Sequence, residues 1–378
     1  MLLFKKVVIF IFEKNYKKIE IKNFRKFKHM LIDDLSTINV FFGSNNLGKT
    51  TILEAIFLHS CGLNIGAFFN GIFLNRQNGN FMGPYDYGEA ILNLFNNYHS
   101  NPKKLLIFIE SENYNKEKNE TVFEFNYSTF LSPFFGGQSG PLRLFENKPM
   151  IIAEKNNINR TYFGKIKITL NNTESSFDIT LPTYFENIKP LKMAIYHDLL
   201  NHRDPIKETV LYGALKRAEK LEEFTIKLRD VFPNIKSIDN IPLPDGSSKI
   251  YVYTKDRKIP LSVFGDGFRK LYYLIGNIVL HREAVHLIEE LDTNFHPESI
   301  PILAKSLLKY SKEYNNQLFI TSHNQEFLEI FLENLSENEL KYDIRVFTLK
   351  EHDRKLRLLK LTGLEALRNI QEFHLELR

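Results

Sequence analysis

INVFFGSNNLGKTTILEAIF, residues 38–57, passes from a continuous apolar run through a Gly-containing loop into a helical pattern. An apolar run without polar alternation, as at 38–42, reads as a strand buried in a sheet. Beyond the loop, Ile52, Leu53, Ile56 and Phe57 fall on one face of a 3.6-residue period, and Glu54 is expected to point away. The loop itself, GSNNLGKT at 43–50, fits G-x-x-x-x-G-K-[ST]. Its glycines allow a tight turn that aims successive N–H groups at phosphate oxygens, and the helix starting near Lys49 adds its positive end. Gly43, Ser44, Asn45, Asn46, Leu47, Gly48, Lys49, Thr50 and Thr51 are therefore candidate nucleotide-binding residues. Lys49 is expected to reach the β- and γ-phosphates, and Thr50 to offer its hydroxyl to Mg²⁺, which takes few protein ligands. The alternative is a Gly turn of purely structural use.

Three downstream segments can complete such a site. VHLIEELDTNFHP at 285–297 is an apolar strand ending in the paired carboxylates Glu289 and Glu290. One acid there can join the Mg²⁺ shell and its neighbour can orient the attacking water; without a phosphate loop upstream, such a pair reads as a solvated turn. QLFITSHN at 317–324 is another buried strand, ending in His323, which can hydrogen-bond a γ-phosphate. LSVFGDGFRK at 261–270 sets Ser262, Gly265, Asp266 and Gly267 before a helix, a second phosphate-binding helix start with Arg269 and Lys270 beside it. One triphosphate rarely needs two such ends, so this one is expected to serve the nucleotide of a partner subunit.

Composition sets the frame. The 378 residues carry 50 Lys plus Arg against 45 Asp plus Glu and a single cysteine, which suits a globular protein and excludes a disulfide framework or a multi-Cys zinc site. Cys61 is expected to be a buried apolar residue, and the chain a soluble cytoplasmic protein. Residues 1–30 hold nine Lys/Arg and two acids, a local +7 within a net charge of +5. This basic segment can touch nucleic-acid phosphates or be a solvated face. The apolar run VVIFIF at 7–12 reads as a strand rather than a membrane-associating segment, and no stretch reaches the roughly 18 apolar residues of a span.

Along the chain, IEIKNF at 19–24 reads as a strand, and segments from 104 to about 181 alternate as strands of a half-exposed antiparallel sheet. Residues 208–232 read as one amphipathic helix of about six turns ending at Pro233. A hairpin is expected at Pro244-Asp245-Gly246, with alternating α/β from 261 onward.

The order of these motifs resembles the ABC-type ATPase heads of the RecF, SMC and OLD (overcoming lysogenization defect) group, in particular the stand-alone AAA/ABC-like ATPases of bacterial phage-defence and abortive-infection systems. The likeness runs from IEIKNFRKF at 19–27 to the closing EFHLELR. It implies an α/β P-loop NTPase, an ABC-ATPase-like head with a β-rich lobe and a helical insertion: one head over 1–378, with its nucleotide-binding core at 19–60 and 255–378 and an inserted lobe at 61–254. It implies ATP and Mg²⁺ as ligands, with Lys49 and Thr50 on phosphates and metal, Glu289 in the metal shell and Glu290 as catalytic base. His323 senses the γ-phosphate, Ser262 to Gly267 close over the ATP of a second protomer, and Asn23, Phe24 and Arg25 lie near the nucleotide. The implied assembly is a homodimer or higher oligomer sandwiching ATP, which controls a separate effector, a nuclease or toxin.

Departures and absences narrow this. Glu289 stands where the family usually has Asp, so hydrolysis is expected to be slow. No LSGGQ is present, and Gln77 and Gln138 are weak Q-loop candidates. About 215 residues without heptads separate the phosphate loop from the signature loop, which argues against a long coiled-coil arm, and the 55 residues after His323 are too few for a nuclease domain. The competing reading is an ATP-gated DNA clamp or scaffold with little hydrolysis.

Overall fold

The computed structural model describes residues 15–69, 71–72, 93–96, 104–132, 159–178, 188–352 and 355–372. The run at 7–12, Gln77, and the FFGGQSG loop with Gln138 lie outside the described residues. The chain forms two compact units, the first made of Met1–Lys17, Asp34–Leu53 and Met193–Arg378 and the second of Lys18–Asp33 and Glu54–Lys192. The division differs from the expected bounds: the helices and hairpin of 193–254 pack in the first unit, and 18–33 in the second.

With strands and helices numbered along the chain, the first unit holds β3 (Ile38–Phe42), the opening residues of α1 (Lys49–Cys61), β8 (Ala194–His197), α3 (Pro205–Arg217), α4 (Leu221–Val231), β9 (Ile235–Pro242), β10 (Ser248–Thr254) and β11 (Lys258–Pro260). It continues with α5 (Asp266–Leu280), β12 (Val285–Ile288), α6 (Ile300–Tyr314), β13 (Gln317–Ser322), α7 (Gln325–Glu333), α8 (Glu337–Tyr342), β14 (Ile344–His352), β15 (Lys355–Thr362) and α9 (Gly363–Gln371). Its main sheet has the order β15-β14-β3-β13-β12-β8. Only β14 with β15 is antiparallel; every other pair is parallel.

Every residue of β3, β12 and β13 is buried, as strands of a parallel sheet covered on both faces must be. Phe41 stacks between Phe319 and Phe347, with ring centroids 6.4 and 5.2 Å away, so one row of aromatics crosses three strands. The polar residues in these strands are paid for by backbone bonds: Asn39 donates to the Ser36 and Leu318 carbonyls, and Gln317 donates to those of Tyr16 and Ser36. A separate antiparallel sheet, β11-β10-β9, carries the expected turn, with Gly246 at φ 83°.

The single six-turn helix expected over 208–232 is two helices. Glu219 turns left-handed at φ 57°, the Lys220 N–H donates back to the Leu215 carbonyl at 2.8 Å, and the Glu219 N–H to Lys216 at 3.1 Å, a left-handed helix stop. The Lys220 ammonium then donates to the Val279 and Leu280 carbonyls at the end of α5. Periodicity survives the break because both helices bury the same kind of face, against α5.

The second unit holds most of β1 (Tyr16–Phe24), β2 (Phe27–Ile32), the remainder of α1, α2 (Ile65–Phe69), β4 (Lys104–Asn113), β5 (Lys118–Ser132), β6 (Asn159–Leu170) and β7 (Thr173–Asp178). Its sheet runs β2-β1-β4-β5-β6-β7, and β4 to β7 pair antiparallel throughout. Alternation is clean: Leu105, Ile107 and Ile109 are buried while Leu106, Phe108 and Glu110 are not. Glu54 does not point to solvent as expected. It is 1% exposed and pairs with Arg25 at 2.7 Å, because a helix buried from Ile52 to Cys61 has no free face and a buried carboxylate needs a cation. His59 is equally enclosed, 2.8 Å from the hydroxyls of both Ser111 and Thr121. Cys61 is buried, as expected, and burial pushes its thiol pKa up.

Candidate functional site

Three backbone reversals build the phosphate loop. Gly43 has φ 144°, Asn46 65° and Gly48 103°, conformations that L side chains disfavour and that glycine takes freely. At Gly43 space matters as well, since a Cβ there would lie 2.7 Å from the Leu349 carbonyl oxygen. The loop hands directly to α1, whose first hydrogen bond runs from the Ile52 N–H to the Gly48 carbonyl at 3.0 Å and whose first turn holds no acid. The leading N–H groups of a helix have no intrahelical partner and favour an anion. Lys49 is buried, and its ammonium donates to the Gly43 and Ser44 carbonyls at 2.6 and 2.9 Å, which fixes a positive charge within the loop. Ser44, Asn45 and Asn46 are exposed, and Thr50 and Thr51 half-buried.

Sheet register brings the other candidates to this end. Phe42 pairs with Ser322, so Gly43 and His323 leave neighbouring parallel strands at the same level. Ile288 pairs with Ile320, so Glu289 and Glu290 emerge beside Thr321 and Ser322. With strands about 4.8 Å apart, loop, imidazole and acids converge at the carboxyl edge of the sheet, where open α/β sheets bind ligands.

The acids differ in surroundings. Glu289 is half-buried, and its Oε1 accepts the Tyr196 hydroxyl at 2.6 Å. Glu290 sits at φ 41°, its N–H donating to Thr321 Oγ1 at 2.9 Å. A third acid, Asp292, has a side chain only 2% exposed, with Oδ2 3.2 Å from His323 Nδ1. Beneath them Lys270 donates to the Glu290 carbonyl at 2.7 Å and to Thr293 Oγ1 at 3.0 Å. Burial pulls the Lys270 pKa down to about 8 against the opposing pull of Asp292 and Glu290.

The signature segment packs on this acidic loop. Gly267 is required, because a Cβ would meet the Asn294 carbonyl oxygen at 2.6 Å; at Gly265 a Cβ meets nothing within 4 Å. Ser262, Val263 and Gly265 are exposed, and Asp266 pairs with Arg203. Arg269 and Lys270, beside the signature segment, turn inward to other partners. Arg269 is buried against Glu208 at 2.8 Å, and Lys270 is spent on the acidic loop. Asn23, near the end of β1, and Arg25, in the β1–β2 turn, belong to the second unit, at φ 59° and 48°. There the Arg25 N–H donates to the Leu94 carbonyl and the guanidinium holds Glu54.

The donor set suits Mg²⁺, a hard cation that keeps much of its water and takes one or two carboxylates with phosphate oxygens: the Thr50 hydroxyl at the helix start and a Glu289 carboxylate already oriented by Tyr196. Among the described residues no group of three or more His, Cys, Asp or Glu forms a closed protein cage.

A family model described as "AAA domain, putative AbiEii toxin, Type IV TA system" matches residues 38–329, more than half of the chain. The chain belongs to this AAA-domain family. It is an α/β phosphate-loop ATPase of the AAA type. The AAA domain is 24% identical over 359 residues to an "ATP/GTP phosphatase" of Helicobacter pylori, covering 89% of this chain and 93% of the relative. Among solved structures it is similar to an SMC head bound to the C-terminal winged-helix domain of ScpA, at 13% identity, 93% and 99% coverage and a TM-score of 0.48. It is also similar to the SMC head domain from Thermotoga maritima, at 12% identity, 92% and 98% coverage and a TM-score of 0.44.

The matched span of the AAA domain contains the phosphate loop, the acid pair, His323 and the signature segment, and ends short of β14. Tyr196 and Asp292 escaped the sequence reading. Asp292 stood two positions past the acid pair, so strand-end position could have flagged it; Tyr196, in a four-residue strand, carried no signal. No helix among the described residues is long and apolar enough to cross a membrane.

Proposed function

We propose that this AAA domain binds ATP in the cradle of Gly43 to Thr51 and hydrolyses it slowly, as one head of a pair that controls a separate effector protein. The observation that carries the reading is the register of β3, β13 and β12, which sets Gly43, His323 and Glu290 at the ends of three successive parallel strands. In this reading Lys49 and the first-turn N–H groups of α1 bind the phosphates, Glu290 orients the attacking water and takes up its proton, and His323 contacts the γ-phosphate. Thr50 and Glu289 would hold Mg²⁺, whose charge offsets that of the phosphates. Hydrolysis by the similar "ATP/GTP phosphatase" supports the activity, and the toxin–antitoxin wording of the family supports a part in phage defence.

Pairing of heads is supported by the exposed Ser262-to-Gly265 segment, where open space around Gly265 leaves room for another molecule's ligand. The test is phosphate release and solution mass with ATP and Mg²⁺, for wild type and Glu290→Gln. Wild type should turn over and the variant should retain ATP, lose turnover at least about 100-fold, and accumulate as a dimer. Wild-type turnover in Glu290→Gln would refute the base assignment, and a monomer under every condition would refute the paired head.

A further inference from the structure

Asp292 has no role in the scheme above, yet its environment is unusual. Its carboxylate is 2% exposed, and Oδ1 has no hydrogen-bond partner among the described residues. Oδ2 receives the His323 backbone N–H at 3.4 Å and lies 3.2 Å from His323 Nδ1, an ion-pair approach in which the ring nitrogen, also buried, makes no aligned hydrogen bond, so the carboxylate acts on the ring through its charge. A buried carboxylate that capped its own loop would accept several loop N–H groups; Asp292 instead faces the one imidazole at the site. Two further bonds fix that approach. The Glu290 N–H donates to Thr321 Oγ1 at 2.9 Å and the Leu291 N–H to the Thr321 carbonyl at 3.1 Å, so the loop carrying Asp292 is tied to the strand end carrying His323.

We propose that Asp292 is the positioning residue for His323: its buried carboxylate holds the imidazole proton on Nδ1 and so reserves Nε2 for the nucleotide or its attacking water. Which ring nitrogen of a histidine carries the proton is set by the partner of the other, and a buried carboxylate on Nδ1 fixes both tautomer and ring orientation. The neutral ring then accepts at Nε2, and the protonated ring donates there to a phosphate oxygen. Lys270 is the ammonium nearest Asp292, reaching up from α5, and Glu289 and Glu290 are the other acids of the loop. His323 is 39% exposed at its side chain, so Nε2 has access to a ligand while Asp292 does not.

The proposal rests on the ATPase reading for the use of Nε2, but the tautomer can be read without turnover. The experiment is nitrogen-15 NMR of histidine-labelled full-length protein, with the His323 signals assigned by their loss in His323→Gln. Wild-type protein, at a pH where the ring is neutral, should show the proton on Nδ1. Asp292→Ala should move it towards Nε2, the preference of free histidine, and lower kcat about 10- to 100-fold with KM for ATP changed less than about threefold. A wild-type His323 protonated on Nε2 overturns the proposal, and that measurement needs no variant to fold. An identical tautomer in Asp292→Ala overturns it as well. A tautomer that moves as expected in a protein that never hydrolyses ATP supports the Asp292–His323 link and sinks the ATPase reading instead.

Discussion

The Tyr196 hydroxyl donates to Oε1 of Glu289 across the β8–β12 pair at 2.6 Å, where parallel register sets Leu287 beside Tyr196 and brings the next strand residues level with the acid. The Glu289 carboxylate is thus held by a fixed donor. Hydrogen bonds to charged groups contribute about 1.5–3 kcal/mol, and half-burial places this one at the lower end. Tyr196→Phe should fold, with stability reduced by about 1.5 kcal/mol, and should need roughly tenfold more Mg²⁺ for half-maximal phosphate release. An unchanged Mg²⁺ requirement would mean that Glu289 lies outside the metal shell.

Two glycines of the site make opposite predictions. Gly43→Ala places a Cβ 2.7 Å from the Leu349 carbonyl oxygen at φ 144°, so it should cost about 1–3 kcal/mol and abolish retention of ATP in equilibrium dialysis. Gly265→Ala meets open space at φ −58° and should unfold at the same urea concentration as wild type. If the signature segment closes over a second protomer's nucleotide, Gly265→Ala should still bind ATP as a monomer yet fail to dimerise with it, as read by light scattering.

How far the sequence reaches can be judged from neighbouring residues. The buried strands were legible because both faces of a parallel sheet are covered, so INVFF and VHLI need no alternation. The loop and acid pair were legible because phosphate chemistry fixes residue types at fixed spacing. Long-range polar pairing was not: Tyr196 and Glu289 are 93 positions apart, and Asp292 and His323 are 31 apart, so nothing local records either. Glu54 looked outward because a helix wheel cannot see Arg25 arriving from the β1–β2 turn of the second unit. The stop at Glu219 was hidden because the residues on both sides keep a helical period.

Buried histidines predict acid sensitivity. Burial drives the pKa of His59 and His197 down to about 3 and that of His286 well below its ordinary 6.5. In the unfolded chain each regains a proton near pH 6.5, so the unfolded state binds more protons and stability falls as pH drops below that value. At pH 5 each costs about 2 kcal/mol, and the three together rival the whole stability of a typical domain, about 5–15 kcal/mol. Urea midpoints should therefore fall steeply between pH 6.5 and 5, above the range in which ordinary carboxylates titrate. A flat profile over that interval would mean that these rings are hydrated.

Lys270 predicts a slope of the same sign in alkali. Its pKa of about 8 lies below the ordinary 10.5, with burial the main cause, so between these values the unfolded state holds the extra proton and stability rises with pH. Relative to Lys270→Met, wild type should gain about 1.4 kcal/mol per pH unit from about pH 8 towards 10.5, and nothing below pH 8. Urea unfolding of both proteins at pH 7, 8.5 and 10 reads the difference, with shared effects of other groups cancelling. The functional consequence runs the other way. The ammonium donates to the Glu290 carbonyl and to Thr293 Oγ1, and as it loses its proton its grip on the loop weakens, so ATP hydrolysis should decline above about pH 8 in wild type. Lys270→Met should be slow at every pH with no such decline. A stability difference that is flat from pH 7 to 10 would show that the Lys270 pKa is not depressed, and would leave the alkaline loss of activity without its cause.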